Sequence, residues 1–122
     1  MKNCSEKTKI KEYSKAKKDP IIEGEIVVLI NEYSASASEI VAGALKDAKR
    51  AQIVGTTTYG KGVIQSVFML EDGSALKLTV EEYYTPSKTK IHKVGIKPDH
   101  EVEFDIESKE DAQLNKAKEL LK

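Results

Sequence analysis

The sequence has one cysteine, two histidines, no net charge and no long apolar run, and each scarcity removes a class of protein. A lone thiol, Cys4, can form no internal disulfide, so this is not a disulfide-stapled scaffold. Cys4 lies in a polar terminal stretch and leaves the redox compartment open. Twenty Lys and Arg balance twenty Asp and Glu, so there is no basic field of the kind that draws nucleic acid. The lysines gather in residues 2–18 and 88–97, runs that read as solvated tails and loops. Nothing resembles a membrane span, and residues 1–20 hold no apolar region that would serve as a signal peptide. His92 and His100, the only imidazoles, lie in polar, turn-rich sequence outside any motif. They are expected at the surface or in loops, and a Ser/His pair is disfavoured.

What remains is a chain of 122 residues, 39% hydrophobic and 33% charged, enough to bury one modest core. Residues 1–19 are lysine-rich, with a weak amphipathic pattern around 10–16, and Pro20 breaks the chain before a strand at 25–30. Residues 36–49 place Ile40, Val41, Ala44, Leu45 and Ala48 on one stripe, which predicts an amphipathic helix packed on a sheet. Gln52–Gly55 reads as a short strand parallel to the first in a right-handed βαβ unit. Residues 63–70 and 74–82 flank Glu71-Asp72-Gly73 as a hairpin, with Leu76, Leu78 and Val80 alternating against Lys77, Thr79 and Glu81. Thr85–Lys88 is a turn and residues 101–105 a further strand. Lys109–Leu121 is a charged helix with Leu114, Ala117, Leu120 and Leu121 on its apolar face. The chain therefore divides into a lysine-rich segment (1–20), a core (21–106) and a C-terminal helix (107–122), with no internal repeat.

The chemistry concentrates in Asn31–Ile40, where an apolar run gives way to small residues and then to a helical pattern, and in Tyr59-Gly60-Lys61-Gly62 with Gln65. A serine at a strand-to-helix passage sits beside backbone N–H groups that lack intrahelical partners and favour negative charge. A tetrahedral oxyanion needs such donors, and the N–H after the nucleophile is a natural one. Ser34, Ser36 and Ser38 all lie within that turn, and spacing alone does not choose among them. Ser34 is an equally good helix cap, and Ser-Ala-Ser-Ala-Ser also suits tight packing of a helix on a sheet. Lys61, between two glycines, also reads as a solvated turn residue. Asp47 follows Ser36 by eleven residues and returns to nearly the same helix face. At about 1.5 Å per residue, however, it stands roughly 16 Å along the axis, too far to reach the hydroxyl. It is assigned a structural role, pairing with Arg50 or tying down a nearby loop.

A rival of another class shares the loop. Gly55 to Gly62 matches all but the last position of a phosphate-binding loop, with Lys61 at the phosphate-contacting lysine. Gly62 stands where a magnesium-binding Ser or Thr belongs, and the segment that follows is strand-like where such a loop must open a helix. Nucleotide binding is therefore the remote alternative.

Taken together, Asn31–Ile40, Asp47, Gly55, Tyr59–Gly62, Gln65, Asp72–Leu76, Tyr83–Ser87 and Gly95–Asp99 resemble the carboxyl-terminal processing proteases, the tail-specific serine peptidases of family S41. The similarity runs over roughly residues 24–104. The resemblance implies Ser36 as nucleophile, Lys61 as general base and Gln65 as the residue that orients the lysine, with the N–H of Ala37 as one oxyanion donor. A lysine with a reference pKa of about 10.4 must be desolvated to near 7 or 8 to accept a proton, roughly 4 kcal/mol of differential solvation. A glutamine carbonyl can hold the amine without adding charge. Fully extended, residues 61 and 65 would stand about 13 Å apart, so the backbone must bend, and Gly60 and Gly62 permit that.

The implied fold is α/β, similar to the ClpP/crotonase-like spiral core, with a mixed sheet. The implied activity is serine endopeptidase cleavage of protein or peptide substrates near their C-termini, with no metal or organic cofactor and no nucleic acid partner. Family members also carry, upstream of this region, a peptide-binding PDZ domain and a strand whose Gly-Gly turn supplies a second oxyanion donor. This chain looks like the C-terminal half of such a catalytic domain. It is expected to be nearly inert by itself and to expose an apolar surface through which copies associate into a homo-oligomer. The full-length protein is expected outside the cytoplasm or at its membrane. A noncatalytic structural or interaction role for the same fold is the main competitor.

Overall fold

A computed structural model describes residues 23–122. Expectations for the lysine-rich segment, for Cys4 and for the amphipathic pattern at 10–16 lie outside the described residues.

The apolar run Val27–Ile30 forms β1, and the chain then passes through a turn into helix α1, Ala37–Asp47. It returns as β2, Gln52–Gly55, whose bounds coincide with those expected. β1 and β2 pair in parallel, from Val27 opposite Gln52 to Ile30 opposite Gly55, and α1 is their crossover. β5, only His100–Glu101 where a strand over 101–105 was expected, pairs in parallel with the other edge of β2, giving the order β1-β2-β5. Ile53 and Val54 are both fully buried. Because neighbouring side chains on a strand point to opposite faces, the central strand is covered on both sides. The core gathers Ile30, Ala42, Ile53, Ile91 and Ile96, with Val28, Ile40, Ala51 and Tyr83 packed against it.

The buried face of α1 differs from the expected stripe. Glu39, Ala42 and Gly43 are buried, while Val41 is 58% exposed and, of the predicted stripe, only Ile40 packs against the core. Small residues govern the approach: a Cβ on Gly43 would lie 2.9 Å from Thr85 Cγ2 and 3.1 Å from Ile96 Cδ1. The helix lies too close for a row of large aliphatics.

β3 (Val63–Met69) and β4 (Ala75–Glu82) form the expected antiparallel hairpin. Its turn is closed by Gly73 at φ +85° and by Asp72 Oδ1, which accepts from the Ser74 N–H and hydroxyl at 2.9 and 2.6 Å. Parallel and antiparallel pairings are thus both present, divided between the three-stranded sheet and this two-stranded one. Leu76, Leu78 and Val80 alternate as expected, but each is about 45% exposed, since the hairpin packs chiefly on itself.

The C-terminal helix α2 spans Ala112–Leu120, shorter than expected because Asp111 caps it, its Oδ1 accepting from Leu114 N–H at 2.9 Å. Gln113 and Ala117 form its buried side; of the predicted face, Ala117 is buried as expected and Leu120 half-buried, whereas Leu114 and Leu121 are exposed. The amide of Gln113 donates to the carbonyl of Val102 at 2.8 Å, which docks α2 through a polar contact. No helix among the described residues is long and apolar enough to cross a membrane.

Candidate active site

Two loops leave the same end of the parallel pair β1/β2, one carrying the serines and the other the lysine. The first is locked by Asn31. Its carbonyl accepts from Ser34 N–H at 3.0 Å, its own N–H donates to Ser34 Oγ at 3.1 Å, and its Oδ1 accepts from Tyr33 N–H at 3.0 Å. Ser34 is thereby committed to the turn. Ser36 instead caps α1, with φ +57° and ψ −118°, a conformation that non-glycine residues adopt only under constraint. A sharp strand-to-helix turn of this kind presents a serine hydroxyl outward beside the first helical amides. The N–H of Ala37 finds no acceptor among the described residues.

In the second loop the two glycines serve different needs. Gly60 adopts φ +85°, while Gly62 makes room, since a Cβ there would stand 2.5 Å from the His92 nitrogen and 2.8 Å from Ile91 Cβ. The loop is fastened by Lys93 N–H on the Gly60 carbonyl at 2.8 Å and Tyr83 N–H on the Gly62 carbonyl at 2.7 Å. Gln65 lies on β3 directly after a break in register, where Ile64 pairs with Glu81 but Gln65 pairs with Thr79. Such a bulge re-aims the side chains beside it.

Ser36, Lys61 and Gln65 line one open cleft of about 310 Å³, together with Val63, Ile64, Lys77 and Tyr83. Lys61 is exposed, and its ammonium has no hydrogen-bond or ion-pair partner among the described residues. No group of His, Cys, Asp and Glu that could hold a metal ion occurs among the described residues.

One residue at the heart of this arrangement escaped the sequence reading. Glu39 is 0% exposed, and its carboxylate accepts from Ser36 N–H (2.9 Å), Thr58 Oγ1 (2.5 Å), Gly60 N–H (2.6 Å) and Lys61 N–H (2.8 Å). Its signal was present in the spacing Ser36-Ala-Ser-Glu39, the pattern of a capping box. The same bonds bear on the phosphate-loop alternative. The amides of Gly60 and Lys61 that would cradle a phosphate already face a carboxylate, and β3 follows where a helix is required.

Asp47 stands apart from the cleft and ties down a loop, its Oδ2 accepting from Ser87 N–H at 2.8 Å. Burial pushes its carboxyl up, but hydrogen bonds from Thr85 and Ser87 and the nearby charge of Lys46 outweigh this and hold it below the ordinary value. His100 shares a hydrogen bond with the Gln52 amide at 3.0 Å at the sheet edge, and His92, whose Nδ1 is buried without a partner among the described residues, lies beside the lysine loop. Neither lines the cleft.

The family model described as peptidase family S41 matches residues 2–102. The carboxyl-terminal-processing peptidase 2 of Arabidopsis thaliana, a chloroplastic protein by its name, is 63% identical over 75 residues, covering 62% of this chain and 15% of that protein. The carboxyl-terminal-processing protease of a Synechocystis strain is 50% identical over 102 residues, covering 79% of this chain and 24% of its own length. Among solved structures, the photosystem II D1 C-terminal processing protease is 51% identical with a TM-score of 0.63, over 65% of this chain and 20% of that one. The tricorn protease is 26% identical with a TM-score of 0.68, over 80% of this chain and 10% of that one. The chain thus spans a quarter or less of the length of these relatives.

Proposed function

The chain belongs to peptidase family S41, and we propose that its open cleft is the serine–lysine part of a carboxyl-terminal processing protease acting on protein or peptide substrates near their C-termini. The observation that carries this reading is the convergence of Ser36, at a strained helix cap, with Lys61 and Gln65 on one cleft. In the working enzyme a neutral Lys61 takes the Ser36 proton as Oγ attacks the scissile carbonyl carbon. The Ala37 N–H meets the oxyanion, Lys61 returns the proton to the departing amine, and an acyl-enzyme remains. Lys61 then draws a proton from the water that attacks the ester and returns it to Ser36 Oγ as the carboxylic product leaves, while the Gln65 carbonyl orients the amine between steps.

A lysine base must be dry, and here Lys61 is exposed in an open cleft. The isolated 122 residues are therefore expected to be nearly inert, with further chain of the full-length protein closing the site. Phe68, Leu76 and Leu78, which share one face of the hairpin and are exposed, offer a surface through which isolated copies associate. We place the full-length protein outside the cytoplasm or at its membrane, by analogy with its family.

In the full-length protein, Ser36→Ala should abolish hydrolysis of an unstructured protein substrate, while Ser34→Ala and Ser38→Ala cost only about 1 kcal/mol of turn or packing energy. Lys61→Arg should be as inactive as Lys61→Ala, because a guanidinium stays protonated at any usable pH. Full activity of Ser36→Ala, or substantial activity of Lys61→Arg, would refute the reading.

A further inference from the structure

Capping alone does not explain Glu39. A helix cap uses one acceptor, and Oε2 meets that need by accepting from Ser36 N–H at 2.9 Å. The same oxygen also accepts from the N–H of Lys61 at 2.8 Å, so a single atom receives the main-chain amides of both residues read as nucleophile and base. Oε1 takes the Gly60 N–H at 2.6 Å and the Thr58 hydroxyl proton at 2.5 Å. Thr58 is 5% exposed, and its oxygen accepts from Ile96 N–H at 2.7 Å, which leaves its one proton for Glu39. The carboxylate is buried, which is costly unless its lone pairs are answered, and four donors answer them.

We propose that Glu39 is the positioning residue of the serine–lysine pair: its carboxylate fixes the main chain of Ser36 relative to that of Lys61, and Thr58 fixes the carboxylate. Glu39 lies behind the cleft and acts through the two residues it bridges. The inference rests on the assignment of Ser36 and Lys61 given above. It has a specific chemical consequence. A glutamine fills the same volume but turns an NH₂ toward two of the four donors in either orientation, so it cannot serve as a conservative substitute. If Glu39 merely filled space, glutamine would be tolerated.

The test measures kcat and KM of the full-length protein on an unstructured protein substrate for Glu39→Gln, Thr58→Val and Thr58→Ser, beside Ser36→Ala and Lys61→Ala. Glu39→Gln should lower kcat by about 10²-fold, the cost of misplacing reacting groups by about 1 Å, and leave KM nearly unchanged. Thr58→Val should lower kcat in the same way, and Thr58→Ser, which keeps the hydroxyl, should restore it. Wild-type kcat in a folded Glu39→Gln or Thr58→Val protein would overturn the proposal. If Glu39→Gln does not fold, the Thr58 pair decides: equal kcat for the Val and Ser variants overturns the proposal, and loss with Val but not Ser supports it. Activity surviving in Ser36→Ala or Lys61→Ala would instead remove the assignment on which the proposal rests.

Discussion

The conformation of Ser36 makes a prediction that needs no catalytic activity at all. With φ +57° and ψ −118°, the residue occupies backbone space that suits glycine, and a side chain there costs about 1–3 kcal/mol. Comparing Ser36→Gly with Ser36→Ala isolates that cost, because both variants lack the hydroxyl. Glycine relieves the strain but gives back roughly 0.5–1 kcal/mol through the greater freedom of the unfolded chain. The Gly variant should therefore be more stable than the Ala variant by about 1 kcal/mol, and by at most about 2.5 kcal/mol, a central rise in Tm of roughly 4 °C at this chain length. Urea and thermal melts of the two purified variants, followed by circular dichroism, measure the difference. A Gly variant equal to or less stable than the Ala variant would refute the claim that the serine is held under backbone strain.

Two further predictions concern the frame around the cleft. Gly62→Ala should destabilise the chain by about 1–3 kcal/mol in a urea melt, because the added carbon meets the backbone of residues 91 and 92 and Ile91 lies in the core; an unchanged midpoint would show that this loop yields freely. Asp47 has its carboxyl held below the ordinary 3.8, so its stabilising effect is fully present above that value and is lost as pH falls through the lower folded value. The stability gap between wild type and Asp47→Asn should accordingly be constant near neutral pH and shrink only below about pH 4. A gap that closes between pH 5 and 7 would mean that another group is responsible.

Periodicity and turn chemistry located β2, the hairpin and α1 because each is bounded by local signals: Gly55, the Asp72-Gly73 turn and the small-residue run before Ala37. Which faces are buried was harder to read. The stripe through Val41 and Leu45 looked like the inner face of α1, but Gly43 and Ala42 bring the helix close on a neighbouring face, and Val41 turns out to solvent. The hairpin leucines follow a core pattern without a core to enter, since their exposure depends on what packs over them rather than on their spacing. In the cleft, Lys61 and Gln65 were singled out by the resemblance, and the residue beneath them was not. A charged side chain three residues past a helix start normally faces water, and nothing in Ser-Ala-Ser-Glu announces that the donors of residues 58, 60 and 61 converge on it from another loop.

The ladder between β1 and β2 has a consequence for how such a chain can vary. Ile30 and Gly55, opposite one another at the last rung, are the points from which the serine loop and the lysine loop depart. The strands act as a ruler: inserting one residue into either would slide its loop by about 3.3 Å and turn every following side chain to the other face. That displacement exceeds what any hydrogen bond across the cleft could absorb. Apart from Gly55, whose φ of +130° and close approach to the Ile30 carbonyl exclude a side chain, composition along these strands is thus free within the limits of packing, while their length is not. Added length belongs in the turn of the β3–β4 hairpin, which stands outside the short path from Ser36 through the sheet to Lys61.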